Sequence, residues 1–165
     1  HEHPTQALLD FMTICDYKKE LKGLKVVIVG DLSHSRVVRS NLLLLNKFGC
    51  DVTVCGPATL VPGGITKMGA KLEMDFDKAI KDADVVMMLR IQLERQKPGS
   101  SHRTEEYTHF YCLNKERLAL AKPDAIVCIQ VRSTAVWRST APLPTVHSRR
   151  SWSRSPTGCA FAWRC

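Results

Sequence analysis

The chain has 165 residues, enough for one domain with a sizeable core or for a piece of a larger protein. Apolar residues make up 44% and charged residues 24%, which is ordinary for a soluble globular protein and excludes wholesale disorder or a collagen-like fibre. No stretch approaches the roughly 18 consecutive apolar residues that a membrane span needs. Because the N-terminus carries no initiator Met and no signal-peptide pattern, we expect the chain to begin inside a longer polypeptide.

The formal charge of +8 is concentrated in the last part of the chain. Residues 128–165 hold six Arg, no Lys and no acidic residue, whereas residues 1–127 hold 18 basic and 16 acidic residues and carry only +2. A basic chain usually indicates nucleic acid or an anionic surface as a partner. Since the first part is nearly neutral, we predict no nucleic-acid and no membrane partner for it, and we treat the two parts separately.

The apolar pattern of the first part alternates between helical and strand periods. A first helix is predicted from Thr5 to about Tyr17, because apolar residues recur at helical spacing: Leu8, Phe11 or Met12, and Cys15. The other helices are predicted at residues 36–48, 76–81 and 114–121. Apolar runs at residues 25–30 and 84–89 predict strands that are buried on both faces. Further strands are predicted at residues 51–55 and from residue 125. Residues 56–64 and 91–110 are predicted to be loops.

This alternation of strands and helices predicts the fold class. It is typical of an α/β domain, here a doubly wound parallel sheet flanked by helices, of the Rossmann-like kind. In such sheets ligands bind beyond the carboxyl ends of the strands. The positions to consider for function are therefore the turns after Gly30, Cys55, Leu89 and Val127.

The turn after Gly30 does not match a dinucleotide site. It has one glycine, no G-x-G-x-x-G pattern and no Lys followed by Ser or Thr, which argues against a nucleotide phosphate there. The turn leads instead to Arg36, at the start of a predicted helix. A guanidinium beside free helix N–H groups can bind a carboxylate or a phosphate, and the alternative is a surface Arg paired with a nearby acid.

A second Arg follows the next central strand. Arg90 comes directly after Leu89, and strand alternation points Gln92 to the same side. Two Arg from adjacent turns suit a small dicarboxylate, with one guanidinium for each carboxylate. The sequence therefore predicts that Arg36 and Arg90 share a pocket at the carboxyl edge of the sheet.

Two polar residues lie where the first helix begins, His3 and Gln6. A neutral His can donate a hydrogen bond to a polarised carbonyl oxygen, and a Gln amide can bind an amide or carbamoyl group. The alternative is a helix start with exposed polar side chains, which these residues by themselves favour.

The four cysteines of the first part show neither a C-x-x-C pair nor zinc-like spacing. We predict that each is a small buried apolar residue in a reducing compartment, and we therefore expect a cytoplasmic protein with no metal site. These cysteines are Cys15, Cys50, Cys55 and Cys112.

Four segments of the first part resemble the aspartate/ornithine carbamoyltransferases, in order and with the spacings of that family. They read HPTQALLD at residues 3–10, VIVGDLSHSRVV at 27–38, RIQLER at 90–95 and AKPDAIV at 121–127. The Leu-Leu-Asp that ends the first segment is similar to the aspartate-specific branch, whereas the ornithine enzymes typically have a Cys in that block.

The resemblance implies transfer of the carbamoyl group from carbamoyl phosphate to L-aspartate, an early step of pyrimidine biosynthesis, with no metal or organic cofactor. It implies that His3 polarises the carbamoyl carbonyl oxygen and that Gln6 binds the carbamoyl amide. It further implies that Arg36 and Arg90 hold the aspartate carboxylates, with Gln92 assisting.

The resemblance also implies an organisation. Residues 1–127 correspond to the aspartate-binding domain, and we expect the N-terminal carbamoyl-phosphate domain to be absent from this chain. Active sites of the family lie between subunits of a homotrimer, with dihydroorotase-like or regulatory chains as possible further partners. The chain alone is then expected to be inactive. The alternative is a non-catalytic carbamoyltransferase-like module that serves assembly.

After Val127 the chain departs from the family. Codons for residues 128–139 can be chosen that, shifted by one base, encode MHPGPINRGVEI, the kind of loop with which the family continues. Residues 154–165 can likewise be written to encode QVTYGMRVRMAV, a family-like helix. We therefore interpret residues 128–165 as a frame-shifted, non-native tail; the alternative is a basic nucleic-acid-binding tail with interleaved aromatic residues.

Overall fold

The computed structural model of the chain describes residues 2–89, 110–131 and 159–164, of which 129–131 and 159–164 are described as backbone only. The α-helices in these ranges are α1 (Pro4–Tyr17), α2 (Arg36–Lys47), α3 (Phe76–Ile80) and α4 (Lys115–Leu118). Two 3₁₀ helices lie between α2 and α3, at Ala58–Leu60 and Ile65–Met68. In the described part of the chain, no helix is long and apolar enough to cross a membrane.

Six strands form one sheet, in the order β3-β2-β1-β4-β5-β6. They are β1 (Lys25–Val29), β2 (Asp51–Cys55), β3 (Lys71–Glu73), β4 (Val85–Met88), β5 (Ile126–Val131) and β6 (Cys159–Arg164). The first five strands are parallel to their neighbours, and β6 is antiparallel to β5. The predicted α/β class with a parallel sheet flanked by helices is confirmed.

Helices cover both faces of the sheet, and the alternation of side chains along β1 shows how. Val26 and Ile28 point to one face, where they join a core cluster that includes Ile14 of α1 and Leu42 of α2. Val27 and Val29 point to the other face, where the cluster includes Phe76 and Ile80 of α3. Because strand residues alternate between faces, one apolar run supplies both cores, as the sequence predicts for a buried strand.

The element boundaries agree with the prediction to within a few residues. Strand 51–55 is predicted to the residue, and α2 ends one residue early, with Phe48 as its C-cap and Gly49 at a φ of 76°. A positive φ after a helix favours glycine, which explains why the helix ends here. Asn114 caps α4, since its side chain accepts a hydrogen bond from the Arg117 N–H at 2.8 Å.

Two strands are absent from the prediction. β3 is only three residues long and carries two exposed side chains, so it lacks the apolar run that marks a buried strand. β6 lies in the tail after residue 128, for which no secondary structure is predicted. β6 pairs with the outer edge of β5, with Ile126 opposite Arg164 and Val131 opposite Cys159.

The first helix has a different buried face from the one that its apolar spacing suggests. Leu8, Met12 and Cys15 are exposed, and Phe11 is half-buried. The residues of α1 that are buried are instead Gln6, Ala7, Asp10 and Ile14. Half of the buried face of α1 is therefore polar, and these polar side chains lie at the end of the helix nearest to the predicted site.

Candidate functional site

The turn between β1 and α2 is built around a fully buried carboxylate. Asp31 has no exposed surface, and its Oδ1 accepts from the backbone N–H of His34 at 3.1 Å and contacts Nδ1 of the His34 ring at 2.9 Å. His34 is half-buried against Asp31. These contacts fix the path of the chain from the carboxyl end of β1 into α2.

Arg36 is the first residue of α2, as predicted, and it is exposed. Ser35 is the N-cap residue but makes no capping hydrogen bond with its side chain, so the first-turn N–H groups of α2 lie beside the guanidinium without that cap. Within residues 2–89 and 110–128, Arg36 forms no ion pair. The alternative, in which Arg36 pairs with a nearby acidic residue at the surface, therefore has no support in these ranges. The start of α2 is thus a positively charged place at the carboxyl edge of the sheet.

His3 caps α1 with its imidazole ring. Nδ1 of His3 accepts from the backbone N–H of Gln6 at 3.2 Å and lies 3.1 Å from Oγ1 of Thr5. Because Nδ1 accepts a hydrogen bond from a backbone N–H, we assign the neutral ring its proton at Nε2. An exposed His3 can therefore offer Nε2–H as a donor to a bound oxygen.

The starts of α1 and α2 are held next to each other. The backbone N–H of His3 donates to Oγ of Ser40 at 2.9 Å. Ser40 lies four residues after Arg36, on the same face of α2 and one turn further along. The structure therefore places the start of α1 beside α2, one turn from Arg36.

Gln6 belongs to a buried polar cluster that connects the two helices. Its Nε2 donates to Oδ1 of Asp10 at 2.9 Å, and Nδ2 of Asn41 donates to Oδ2 of the same carboxylate at 2.9 Å. Burial raises the pKa of the Asp10 carboxyl, while the hydrogen bonds from Asn41 and Gln6 act in the opposite direction. The alternative in which Gln6 is an exposed side chain is wrong, because Gln6 is 7% exposed.

Sequence reasoning did not identify Asp10 and Asn41. One signal was available for Asp10, because it follows Gln6 by four residues on a helix and such pairs are neighbours on the helix surface. No pattern in the sequence connects Asn41 with Asp10, since their contact depends on how α1 packs against α2.

Arg90 and Gln92 lie outside the described residues. The described chain reaches Leu89, whose backbone N–H donates to the carbonyl oxygen of Val29 at 2.7 Å, so β4 ends beside the end of β1. That Arg90 and Gln92 share a pocket with Arg36 remains a prediction. The loop predicted at residues 91–110 also lies outside the described residues, except for its last residue.

The cysteines differ from one another in burial. Cys50 and Cys55 are buried as predicted, whereas Cys112 is half-buried and Cys15 is exposed, which makes the prediction for Cys15 wrong. Cys15 lies on the outer face of α1, which the core does not cover. Burial raises the pKa of the Cys55 thiol to about 12, so Cys55 is an unreactive packing residue. Among the described residues, no group of three or more His, Cys, Asp or Glu is arranged to hold a metal ion.

Solved structures with the same fold are carbamoyltransferases. The ornithine carbamoyltransferase from Pyrococcus furiosus superimposes with a TM-score of 0.65 and 31% identity, over 81% of this chain and 45% of that protein. The aspartate transcarbamoylase from Trypanosoma cruzi, solved in complex with phosphate, superimposes with a TM-score of 0.62 and 29% identity, over 78% of this chain and 45% of that protein.

Curated relatives are more similar in sequence. The chain is 58% identical over 127 residues to a protein of Caldanaerobacter subterraneus that is called aspartate carbamoyltransferase catalytic subunit, a match that covers 77% of this chain and 42% of the relative. The protein of the same name from Syntrophus aciditrophicus is 54% identical over 127 residues, 77% of this chain and 41% of the relative. The chain thus spans about two fifths of the length of the curated relatives it matches.

A family model described as "Aspartate/ornithine carbamoyltransferase, Asp/Orn binding domain" matches residues 22–128. The matched range contains β1 and α2, and therefore the turn that leads to Arg36 at the carboxyl edge of the sheet. This chain therefore belongs to the aspartate/ornithine carbamoyltransferase family and holds its Asp/Orn binding domain.

Proposed function

We propose that this chain supplies the aspartate half-site of an aspartate carbamoyltransferase catalytic subunit. The reaction joins the α-amino nitrogen of L-aspartate to the carbonyl carbon of carbamoyl phosphate. The C–N bond forms as the bond from that carbon to the phosphate oxygen breaks, phosphate leaves with the electron pair and the amine loses one proton. The products are N-carbamoyl-L-aspartate and phosphate. This reaction is an early step of pyrimidine biosynthesis.

The observation that carries the proposal is Arg36, an exposed guanidinium at the start of α2 with no ion pair among the described residues. The first turn of α2 adds the positive end of the helix dipole at the same place. A guanidinium binds a carboxylate through two parallel hydrogen bonds, which fixes both the position and the orientation of the ligand. Arg36 therefore suits one carboxylate of L-aspartate, and we assign the other to Arg90, with Gln92 assisting.

We assign the carbamoyl group to His3 and Gln6, at the start of α1. The Nε2–H of His3 can donate to the carbamoyl carbonyl oxygen, on which negative charge develops as the amine attacks. Gln6 lies one turn along the same helix and binds the carbamoyl amide. The main catalytic effects are then the positioning of two reactants and the stabilisation of the developing charge, and we expect no metal or organic cofactor.

The proposed site is completed by parts that lie outside this chain. We propose that a carbamoyl-phosphate-binding domain and a neighbouring subunit of a homotrimer supply the phosphate contacts, with dihydroorotase-like or regulatory chains as further partners. We also propose a cytoplasmic location, because the cysteines of the described residues are free thiols and such thiols persist in a reducing compartment.

The proposal is tested in a chimera in which the 127-residue matched segment of this chain replaces its counterpart in the Caldanaerobacter subunit. The chimera is expected to form carbamoyl-aspartate, measured by a colour assay. Arg90→Ala should raise the aspartate concentration needed for half-maximal rate by about 10- to 100-fold, because a hydrogen-bonded charge pair is lost. Lys47→Ala, which removes the same charge from the exposed far end of α2, is the matched control.

Two results would contradict the proposal. One is a chimera that assembles but makes no carbamoyl-aspartate, which favours the alternative of a non-catalytic module for assembly. The other is an active chimera in which Arg90→Ala leaves the aspartate requirement at the level of the Lys47→Ala control.

We further propose that residues 128–165 are a frame-shifted tail and that residues 1–127 are the native part of the domain. The family match supports this boundary, because it ends at residue 128. The coding nucleotide sequence around residue 128 tests it, since a single inserted base should restore MHPGPINRGVEI. If the tail is instead a nucleic-acid-binding segment, the 165-residue chain should bind DNA in a salt-sensitive way, and truncation after Val127 should abolish this binding.

A further inference from the structure

The amide of Gln6 is buried, and one of its two ends has no partner among the described residues. Gln6 is 7% exposed, and its Nε2 donates to Oδ1 of Asp10 at 2.9 Å. Among the residues that the structure describes, none donates a hydrogen bond to Oε1 of Gln6. A buried acceptor without a donor is costly, so we expect this oxygen to accept a hydrogen bond from a ligand.

The orientation of this amide is set by the carboxylate of Asp10. An ionised carboxylate only accepts hydrogen bonds, so it pairs with the nitrogen of the Gln6 amide and never with the oxygen. Nδ2 of Asn41 occupies the other oxygen of Asp10 in the same way, at 2.9 Å. Since the nitrogen and the oxygen of an amide point in different directions from the same carbon, Oε1 of Gln6 is turned away from Asp10.

We propose that Asp10 is a positioning residue that selects the carbamoyl group: by holding Nε2 of Gln6, it presents Oε1 as the acceptor for an N–H of carbamoyl phosphate. This inference rests on the proposed function and adds a source of specificity to it. Acetyl phosphate has nearly the same shape but carries a methyl group in place of the amide. A site that hydrogen-bonds an N–H rejects an analogue that lacks it, because the acceptor is left unpaired.

The kinetic test uses the chimera described above with two probes, carbamoyl phosphate as substrate and acetyl phosphate as inhibitor. Asp10→Asn should lower kcat/KM for carbamoyl phosphate about tenfold, because the new amide can pair with Gln6 in either orientation. The inhibition constant of acetyl phosphate and the KM of aspartate should remain within about twofold of the parent values, since neither ligand uses Oε1. Asp16→Asn, an exposed position on the same helix, is the matched control.

A second variant separates positioning from stability. Asn41→Ala removes one hydrogen bond from Asp10 but leaves the bond from Asp10 to Gln6 in place. Asn41→Ala should therefore destabilise the protein yet keep the parent preference for carbamoyl over acetyl phosphate. In the 165-residue chain, NMR of the Gln6 side-chain amide should show one Nε2 proton that is protected from exchange in the parent and in Asn41→Ala, and unprotected in Asp10→Asn.

The outcomes distinguish this inference from the function on which it rests. If the unsubstituted chimera has no activity, both the proposed function and this inference are contradicted. An active chimera in which Asp10→Asn keeps the parent preference, or in which Asn41→Ala lowers the preference equally, leaves the proposed function intact and overturns the role of Asp10.

Discussion

The two edges of the sheet differ in how their charges are paired. At the amino edge, Asp84 accepts hydrogen bonds from the backbone N–H of Lys25 at 3.1 Å and from Nζ of Lys122 at 2.8 Å. Nζ of Lys18 lies 3.9 Å from the same carboxylate and also pairs with Asp124. At the carboxyl edge, Asp31 pairs with His34, whereas Arg36 is exposed and finds no ion pair within the described ranges of the chain.

This difference shows which charges serve the fold and which are available to a ligand. The hydrogen bond to Asp84 raises the pKa of Lys122, so the charged form of this lysine is favoured in the folded chain. Lys25 begins β1 and Asp84 directly precedes β4, and the Asp84 N–H donates to the Lys25 carbonyl oxygen at 2.9 Å, which makes the cluster part of the sheet. In the part of the chain that the structure describes, no such bond uses Arg36, so its charge is available to a ligand.

The largest expected effect is on the binding of aspartate at the carboxyl edge. In the chimera, Arg36→Ala should lower kcat/KM for aspartate by about 100-fold, because a charge-assisted pair with a carboxylate is lost. Arg36→Lys should recover only part of this loss, since an ammonium cannot form the two parallel bonds of a guanidinium. An Arg36→Ala chimera with the parent kinetics for aspartate would assign the carboxylates to other residues.

The next effect is on stability, and it should appear at the opposite edge. Asp84→Ala leaves the Lys25 N–H and the Lys122 ammonium without their acceptor, and should lower the free energy of unfolding by about 2–3 kcal/mol. Arg36→Ala should change it by less than about 0.5 kcal/mol, as is usual for an exposed residue without partners. Urea unfolding of the 165-residue chain measures both. Equal losses for the two variants would contradict the distinction between the edges.

A smaller effect on stability is expected where the backbone is crowded beside the site. A Cβ atom on Gly56 would lie 2.6 Å from the carbonyl oxygen of Gly30, and the backbone N–H of Gly30 already donates to Cys55 at 3.0 Å. Gly56→Ala should therefore lower the free energy of unfolding by about 1–2 kcal/mol, because β1 and β2 must separate at their carboxyl ends. Gly63→Ala is the matched control, since a Cβ atom there meets nothing within 4 Å.

The sequence predicted most of the fold because the strongest signals were local. The runs that became β1 and β4 carry apolar side chains on both faces, and this pattern distinguishes a buried parallel strand from other elements. β3 was missed because an exposed strand of three residues carries no such pattern. Its place in the sheet depends on pairing with β2, which is a tertiary interaction.

Of the candidate site, the sequence predicted only the residues that lie at the starts of helices. The positions of His3 and Arg36 follow from the starts of α1 and α2, which caps and apolar periods reveal. The cluster of Gln6, Asp10 and Asn41 could not be predicted, because an apolar period read along α1 placed the wrong side chains in the core. Polar side chains take buried positions when a partner on another helix satisfies them, and a single sequence does not show that partner.

The smallest expected effect is on the pH dependence of stability, and it also separates the two edges. The carboxylate at the site end, Asp10, is held by the neutral amides of Gln6 and Asn41 rather than by lysines. Burial raises the pKa of Asp10 above 3.8, so the folded chain binds its proton more tightly than the unfolded chain does. The contribution of Asp10 to the free energy of unfolding is therefore fully present below about pH 3.8 and falls as the pH rises through the folded-state pKa.

Urea unfolding of the parent and of Asp10→Asn at a series of pH values measures this contribution. The difference in unfolding free energy, parent minus Asp10→Asn, should decrease with rising pH. Asn41→Ala should extend the decrease to higher pH, because the hydrogen bond from Asn41 is one of the interactions that lower the pKa of Asp10. A difference that increases with pH would mean that the carboxylate is better stabilised by the protein than by water. The hydrogen bonds from Asn41 and Gln6 would then outweigh the effect of burial on the Asp10 carboxyl.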